Sequence, residues 1–348
     1  MAETRANASE TPLLEVRSLE VTIPATLRNL SAIRGVDLTV GPGETLGLVG
    51  ESGCGKSITM LAVMGLLAPH VRVSGSIRFK GQELVGRPQK ELAKLRGVGI
   101  GMIFQDPMTA LNPVLSIGAQ IAEAIRIHDA GVTAQAGLER AVELLERVTI
   151  PFPERRALQY PHELSGGMRQ RAMIAMAMAN APALLIADEP TTALDVTVQA
   201  QIIELLQRLR EDYRMGLVLI SHDLGIVAGT ADKVAIMYAG RIVERGAVED
   251  VFYRSRHPYT RGLLASLPKI DARAERLTAI EGSPPSLGLR PAGCPFHPRC
   301  GHAIERCRHE EPALRIVDGT EVACHLAETL KDPLPQIDSR EPRPVIDA

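Results

Sequence analysis

The spacing of apolar and polar residues divides the chain into regions with different predicted structure. Apolar-rich segments at Leu14 to Ile23, Val36 to Val40 and Thr45 to Val49 predict three strands near the beginning. Between Pro113 and Leu158 apolar residues recur at spacings of three and four, which is typical of amphipathic helices. The pattern therefore predicts a β-rich beginning followed by a helical insert.

Helices and strands alternate after this insert. The pattern predicts a helix at Met168 to Ala179, a strand at Leu184 to Ala187, a helix at Val196 to Glu211 and a strand at Leu217 to Ile220. Because strands that are joined through helices usually pair in parallel, we expect an α/β fold with a mainly parallel sheet and an antiparallel β region at its start.

The last part of the chain differs in composition. After Arg256, proline-rich segments flank a group of cysteines, and the residues from Lys331 onward are rich in proline and charge. A length of 348 residues exceeds the size at which one hydrophobic core usually stops growing, so we expect a large domain with an appendage. The expected units are a main domain over 12–255 with the helical insert at about 108–167, an extension over 256–330, and a loose tail over 331–348.

Composition limits the classes of partner. The formal net charge of -2 gives no excess of positive charge for nucleic acid, and a content of 3% aromatic residues leaves few side chains on which bases could stack, so no nucleic-acid partner is expected. Met1 to Thr11 is polar and does not resemble a signal peptide. The longest apolar stretch, Ala172 to Ala187, is interrupted by Asn180 and Pro182. We therefore expect a cytosolic chain that reaches a membrane only through a partner.

The segment Gly50 to Ser57 matches the P-loop pattern G-x-x-x-x-G-K-[ST], and it lies between a predicted strand and a predicted helix. Glycines allow the backbone N–H groups to point at phosphate oxygens, while Lys56 can reach the β- and γ-phosphates and the Ser57 hydroxyl can bind Mg²⁺. Cys54 is interpreted as a tolerated variable position. The segment predicts binding of a nucleoside triphosphate through Gly50, Glu51, Ser52, Gly53, Cys54, Gly55, Lys56 and Ser57.

Polar side chains also follow other predicted strands. Asp188 and Glu189 end an apolar strand, where Asp188 can hold Mg²⁺ and Glu189 can face the attacking water. Gln105 offers a donor and an acceptor at the start of the helical insert, and His222 follows another strand. Without a P-loop nearby, the two acids would be read as a solvated turn, Gln105 as an amide in a loop and His222 as a packed side chain. Beside a P-loop, we interpret Gln105 as a further Mg²⁺ ligand and motion sensor, and His222 as a γ-phosphate contact.

A second helix start carries a hydroxyl and two glycines. Ser165, Gly166 and Gly167, in a segment that ends at Gln170, come directly before a predicted helix, and a helix N-terminus favours phosphate. The alternative is a plain N-cap in which Ser165 only closes its own helix.

These motifs, in this order, resemble the ATP-binding-cassette (ABC) ATPases, and the resemblance spans about residues 12 to 255. It implies a head-to-tail dimer in which ATP lies between one P-loop and the partner's signature segment, with Glu189 as general base or water-orienting residue. The family usually stacks adenine on an early aromatic residue, which the segment from Leu19 to Ile33 lacks, so Ile23 or a neighbour is the expected substitute. The resemblance rests on the P-loop, Gln105, Leu164 to Gln170, Asp188-Glu189, Ala193-Leu194-Asp195 and His222, with Asp195 expected at the dimer seam.

Three segments resemble importers of oligopeptides, dipeptides and nickel: Thr191 to Ile202, His257 to Leu264 and Gly293 to Cys300. This resemblance implies a second ATPase subunit, a related paralogue, together with two transmembrane permeases and an extracytoplasmic binding protein. It also implies a peripheral position on the cytoplasmic face of the inner membrane. The alternatives are import of nickel or another small solute, or a non-transport cassette ATPase, which would favour tandem cassettes or a coiled-coil insertion.

The cysteines of the extension follow the spacing C-x5-C-x6-C-x16-C. Disulfides are disfavoured in a reducing cytosol, and these spacings are wider than the C-x2-4-C steps of structural zinc sites. Four thiolates suit an iron–sulfur cluster, and the family resemblance implies a [4Fe–4S] site in some members. Zinc and free thiols remain the alternatives for Cys294, Cys300, Cys307 and Cys324.

Overall fold

The structure, a computed structural model, describes residues 11–25, 29–267 and 280–330, so the predicted loose tail lies outside the described residues. The strands are β1 Leu14–Ile23, β2 Leu30–Val40, β3 Thr45–Val49, β4 Arg72–Phe79, β5 Gln82–Glu83, β6 Ile100–Ile103, β7 Leu184–Asp188, β8 Gly216–Ser221, β9 Lys233–Tyr238, β10 Arg241–Ala247, β11 Arg315–Val317 and β12 Thr320–Val322. The helices are α1 Lys56–Val63, α2 Gln89–Leu95, α3 Pro107–Ala110, α4 Ile117–Arg126, α5 Ala134–Arg147, α6 Pro153–Ala157, α7 Gly166–Ala177, α8 Val196–Tyr213, α9 Leu224–Thr230, α10 Val248–Arg254, α11 Pro258–Ala265 and α12 Glu305–His309.

The central sheet has the strand order β11-β12-β10-β9-β3-β8-β7-β6. Its strands from β9 to β6 run parallel, and every residue of β3, β7 and β8 is buried. Continuous apolar runs of this kind suit strands that are covered on both faces. Because parallel strands all end at one edge, the residues that follow β3, β6, β7 and β8 are brought together there.

A second, antiparallel sheet has the order β2-β1-β4-β5 and forms the predicted β region at the start. The predicted strand over Val36 to Val40 is longer than expected, because β2 already begins at Leu30 to pair with the end of β1. Ile23, the expected substitute for an adenine-stacking aromatic residue, is half-buried at the end of β1 opposite Leu30. Residues 26–28 of that region lie outside the described residues.

The predicted helical insert consists of α4, α5 and α6. Ser116 caps α4 by accepting a hydrogen bond from Ala119 N, and Thr133 caps α5 by accepting one from Ala136 N. Their apolar faces pack in one core together with α7 and α8. Across the three described ranges, none of the helices combines the length and apolar composition that crossing a bilayer requires.

The extension joins the central sheet through its main chain. Strand β12 pairs antiparallel with β10, so that Glu244 lies opposite Val322 and Arg245 lies opposite Glu321. Arg245 also donates two hydrogen bonds of 2.8 Å to the Glu321 carboxylate. The boundary expected at residue 255 therefore separates two parts of the chain that share one sheet.

Candidate functional site

The P-loop follows β3 and curls around the amine of Lys56. Lys56 is 5% exposed, and its Nζ donates to Gly50 O at 2.7 Å and to Glu51 O at 3.2 Å. Gly55 has φ 115°, and a Cβ on it would lie 2.6 Å from Ile33 Cδ1. Cys54 is a buried side chain of the loop, and this burial raises the pKa of its thiol.

Two hard oxygen donors meet beside this loop. Ser57 Oγ donates to Asp188 Oδ1 at 3.0 Å, which joins the start of α1 to the end of β7. Burial is the main reason that the pKa of Asp188 is raised, and the hydrogen bond from Ser57 opposes the shift. Hydroxyl and carboxylate oxygens are ligands that Mg²⁺ prefers, so this pair fits the predicted metal contact.

Glu189 is the centre of the predicted catalytic group. Its carboxylate accepts from Gln105 Nε2 at 3.0 Å and from Thr192 Oγ1 at 3.2 Å. Lys56 Nζ lies 3.7 Å from one of its oxygens, and His222 Nδ1 lies 3.5 Å from the other. Glu189 itself has φ 45°, a left-handed conformation that costs a non-glycine residue about 1–2 kcal/mol. The fold therefore gathers the four predicted catalytic residues around one strained strand end.

The second predicted phosphate-facing segment is the start of α7. Ser165 is exposed and accepts from Met168 N at 3.4 Å, so within one chain it acts as the N-cap of α7. Gly166 is also exposed and Gly167 is half-buried. No hydrogen bond among the described residues joins these three residues to the P-loop. Gln170, predicted as a further nucleotide contact, is 2% exposed in α7, and its amide nitrogen has no hydrogen-bond partner in the described structure. Its contact with a nucleotide stays a prediction.

Three contacts of this site were not predicted. Thr192 orients Glu189, Tyr259 Oη accepts from Glu51 N at 2.9 Å, and Arg299 donates to the Glu51 carboxylate at 2.6 and 2.9 Å. Glu51 occupies a variable position of the P-loop pattern. Tyr259 and Arg299 lie more than 200 residues further along the chain, so no local pattern pointed to them.

The cysteines of the extension share one cavity. Cys294, Cys307 and Cys324 are buried, Cys300 is half-buried, and all of them are free. Burial raises the pKa of Cys294 to about 12 and that of Cys324 to about 11. In the described part of the chain no group of three or more His, Cys, Asp or Glu side chains is arranged to hold a metal ion, so the predicted cluster is not confirmed. The cavity is lined by all four cysteines and by His257, His297, His302 and His325.

Comparison of the sequence with known proteins supports the family resemblance that the motifs indicated. A family model described as ABC transporter matches residues 33–192, and one described as Oligopeptide/dipeptide transporter, C-terminal region matches residues 243–307. The chain is 48% identical over 321 residues to the oligopeptide transport ATP-binding protein OppD of Salmonella typhimurium. The aligned residues cover 92% of this chain and 96% of that protein. OppD of Escherichia coli K12 is 48% identical over 324 residues, covering 93% and 95%.

The fold agrees with a solved cassette. The dimeric ATP-binding cassette MJ0796, in a post-hydrolysis state bound to ADP and Pi, superimposes with a TM-score of 0.62 and 27% identity, covering 68% of this chain and 98% of that one. The resemblance to ABC ATPases and the expected α/β cassette fold are confirmed. The chain therefore belongs to the ABC transporter family, as an ABC ATPase that carries the oligopeptide/dipeptide transporter C-terminal region.

Proposed function

We propose that this chain is the ATP-hydrolysing subunit of an importer of oligopeptides or dipeptides. The observation that carries the ATPase part is the convergence of Gln105, Lys56, Thr192 and His222 on the Glu189 carboxylate. The peptide part is supported by the matching extension and by relatives that are named for oligopeptide transport.

In this proposal the P-loop binds the phosphates of ATP. Lys56 Nζ exchanges its contacts with Gly50 O and Glu51 O for the β- and γ-phosphates. Mg²⁺, when bound, neutralises charge on the phosphates, and Ser57, Asp188 and Gln105 are the residues that would hold it. The remaining contacts are the backbone N–H groups along Gly50, Glu51, Ser52, Gly53, Cys54, Gly55, Lys56 and Ser57.

Glu189 orients or deprotonates the attacking water. Thr192 and Gln105 hold its carboxylate at the end of β7, so the group need not be ordered again when the reaction begins. His222 is still 65% exposed, which leaves its ring free to contact the γ-phosphate. Catalysis in this arrangement depends mainly on positioning and on stabilisation of charge.

Two cassettes close head to tail in the working complex. The exposed start of α7, at Ser165 to Gly167, then faces the nucleotide of the partner, which is a related ATPase subunit. Two permeases and an extracytoplasmic binding protein complete the importer, and the chain sits on the cytoplasmic face of the inner membrane. Exposed apolar side chains that follow Gln105 in the chain support docking to a permease, among them Met108 at 50% and Val114 at 75% exposure.

Glu189→Gln tests the proposal in the assembled complex. We expect the rate of ATP hydrolysis to fall by about 100-fold or more while ATP still binds, because the amide cannot accept a proton. Uptake of a labelled tripeptide should stop in cells that express this variant at the wild-type level. Glu143→Gln, an exposed position on α5, is the matched control.

Two results would contradict different parts of this proposal. Wild-type hydrolysis by Glu189→Gln would remove Glu189 from the catalytic group. Hydrolysis by the wild-type complex without tripeptide uptake would leave the ATPase intact and move the cargo to nickel or another small solute.

We further propose that the cysteine cavity accepts a [4Fe–4S] cluster. A cluster places its own iron and sulfide atoms between the thiolates, so its ligands stand further apart than the ligands of one ion. The donors are Cys294, Cys300, Cys307 and Cys324, which line one cavity. Protein purified without oxygen should be brown, and Cys300→Ser should remove the visible absorption. A colourless preparation that contains zinc would contradict the proposal.

A further inference from the structure

Glu51 is hydrogen-bonded through its carbonyl, its N–H and its carboxylate, although it occupies a variable position of the P-loop pattern. Its carbonyl accepts from Lys56 Nζ at 3.2 Å, and its N–H donates to Tyr259 Oη at 2.9 Å. Its carboxylate accepts from Arg299 Nη1 at 2.6 Å and from Nη2 at 2.9 Å. Tyr259 and Arg299 both lie beyond residue 255, so the extension holds the first turn of the P-loop.

Arg299 is a buried, hydrogen-bonded cation of the extension. Its side chain is 6% exposed, and its guanidinium carbon lies 5.9 Å from the ring centres of Tyr238 and Phe296. Its Nε donates to Glu281 O at 2.9 Å. Hydrogen bonds to Glu51 are the main reason that the pKa of Arg299 is raised further, so the positive charge is permanent. A planar guanidinium held in this way can face a carboxylate with two parallel hydrogen bonds.

The aromatic residues beneath this pair form a rigid support. Tyr238 and Tyr259 are almost fully buried, with ring centres 4.7 Å apart, and Phe296 lies 5.3 Å from Tyr238 and 5.4 Å from Tyr259. Phe296 and Arg299 both lie in the chain between Cys294 and Cys300. The segment between Cys294 and Cys300 therefore determines the position of the guanidinium relative to the P-loop.

We propose that Arg299 is a positioning residue for nucleotide binding, which neutralises Glu51 beside the phosphate site and fixes the first turn of the P-loop. The inference rests on the proposed binding of ATP at the P-loop. A triphosphate brings several negative charges to this loop, and a Glu51 carboxylate without Arg299 repels them. With Arg299 in place the loop presents a neutral pair and a backbone that is already curled.

The test compares ATP kinetics of full-length variants in the assembled complex. Arg299→Met keeps the length of the side chain and removes its charge, so we expect KM for ATP to rise about tenfold with little change in kcat. The increase should shrink at high salt, because repulsion between charges is screened. Arg306→Met is the matched control, since Arg306 pairs with Glu310 on the exposed surface of the extension.

A second substitution separates charge from folding. Glu51→Gln added to Arg299→Met should bring KM back toward the wild-type value, because no carboxylate remains to be neutralised. Unchanged KM in Arg299→Met, or a raised KM that Glu51→Gln does not lower, would overturn the inference. If Arg299→Met fails to fold, Arg299→Gln replaces it, and a KM that stays at the wild-type value overturns the inference equally.

Lys56→Ala distinguishes this inference from the function on which it rests. If Lys56→Ala binds a fluorescent ATP analogue as the wild type does, the proposed P-loop site is wrong and the role of Arg299 is wrong with it. If Lys56→Ala loses binding while Arg299→Met retains wild-type KM, only the role of Arg299 is wrong.

Discussion

The acidic residues show how the surroundings of a side chain decide its chemistry. Burial at the end of β7 raises the pKa of Asp188, which leaves a desolvated oxygen ready for a cation. Glu83 behaves in the opposite way. Burial alone would raise its pKa, but hydrogen bonds from Ser76 Oγ and from the backbone N–H groups of Ile77 and Val85 outweigh burial and lower it.

The charge of Glu83 should stabilise the fold in a pH-dependent way. Because its pKa is lower in the folded than in the unfolded chain, the stabilisation is present above the ordinary value of 4.5 and is lost as pH falls through the folded value. Because the carboxylate is 39% exposed and solvent screens it, Glu83→Gln should lower the free energy of unfolding by only about 0.5 kcal/mol at pH 7 and by less near pH 4. Urea unfolding at both pH values measures this, with Glu143→Gln as control. An equal loss at both pH values would show that charge is not involved.

At the scale of elements, the P-loop depends on how closely β3 and α1 approach the neighbouring strands. A Cβ on Gly50 would lie 2.2 Å from Met237 O on β9, and Gly55 approaches Ile33 on β2. A Cβ on Gly50 would push the loop away from the backbone of β9, whereas a Cβ on Gly55 would displace the Ile33 side chain. The curl that exposes backbone N–H groups is therefore set jointly by the loop and by two separate strands.

Gly55→Ala should weaken ATP binding. Its φ of 115° is unfavourable for alanine, and the added Cβ would displace Ile33 from below the loop. Gly81→Ala is the matched control, since Gly81 has φ 77° with open space where a Cβ would lie. Both variants should lose about 1–2 kcal/mol of stability from backbone strain, but only Gly55→Ala should lose affinity by tenfold or more. Isothermal titration with an ATP analogue measures the affinity, and equal affinities would contradict the argument.

At the scale of the whole molecule, the extension and the cassette are one packed unit. The β11–β12 hairpin continues the central sheet beyond β10, and the aromatic residues of β9 and α11 pack against Phe296. An extension held by main-chain pairing and by a shared core should not unfold separately.

Val322→Ala should therefore destabilise the entire chain. Val322 is fully buried on β12, and its truncation should cost about 2 kcal/mol in the free energy of unfolding. Ile316→Ala, at 78% exposure on the paired strand β11, should cost little. Calorimetry should show one transition that moves to lower temperature only for Val322→Ala. A separate transition for residues 256–330 would contradict the shared unit.

Elements with strong local patterns were predictable to within a few residues. The strand predicted at Leu184 to Ala187 is β7 with one further residue, and the helix predicted at Met168 to Ala179 is α7 shifted two residues earlier. The shift follows from Ser165, whose hydroxyl caps the helix ahead of its first apolar residue. The burial of Gln170 was not predictable, because it depends on which face of α7 packs against the core.

Local patterns in the sequence were sufficient to predict the phosphate-binding loop, the acids at the end of β7 and the alternation that builds a parallel sheet. These features depend on glycine spacing, strand ends and apolar periodicity, all of which act over a few residues. Only the tertiary structure decided that Arg299 and Tyr259 hold Glu51, that the β11–β12 hairpin extends the sheet, and that the cysteines share a cavity. Such contacts join residues far apart in the chain, and they form only after the whole sheet has brought those residues together.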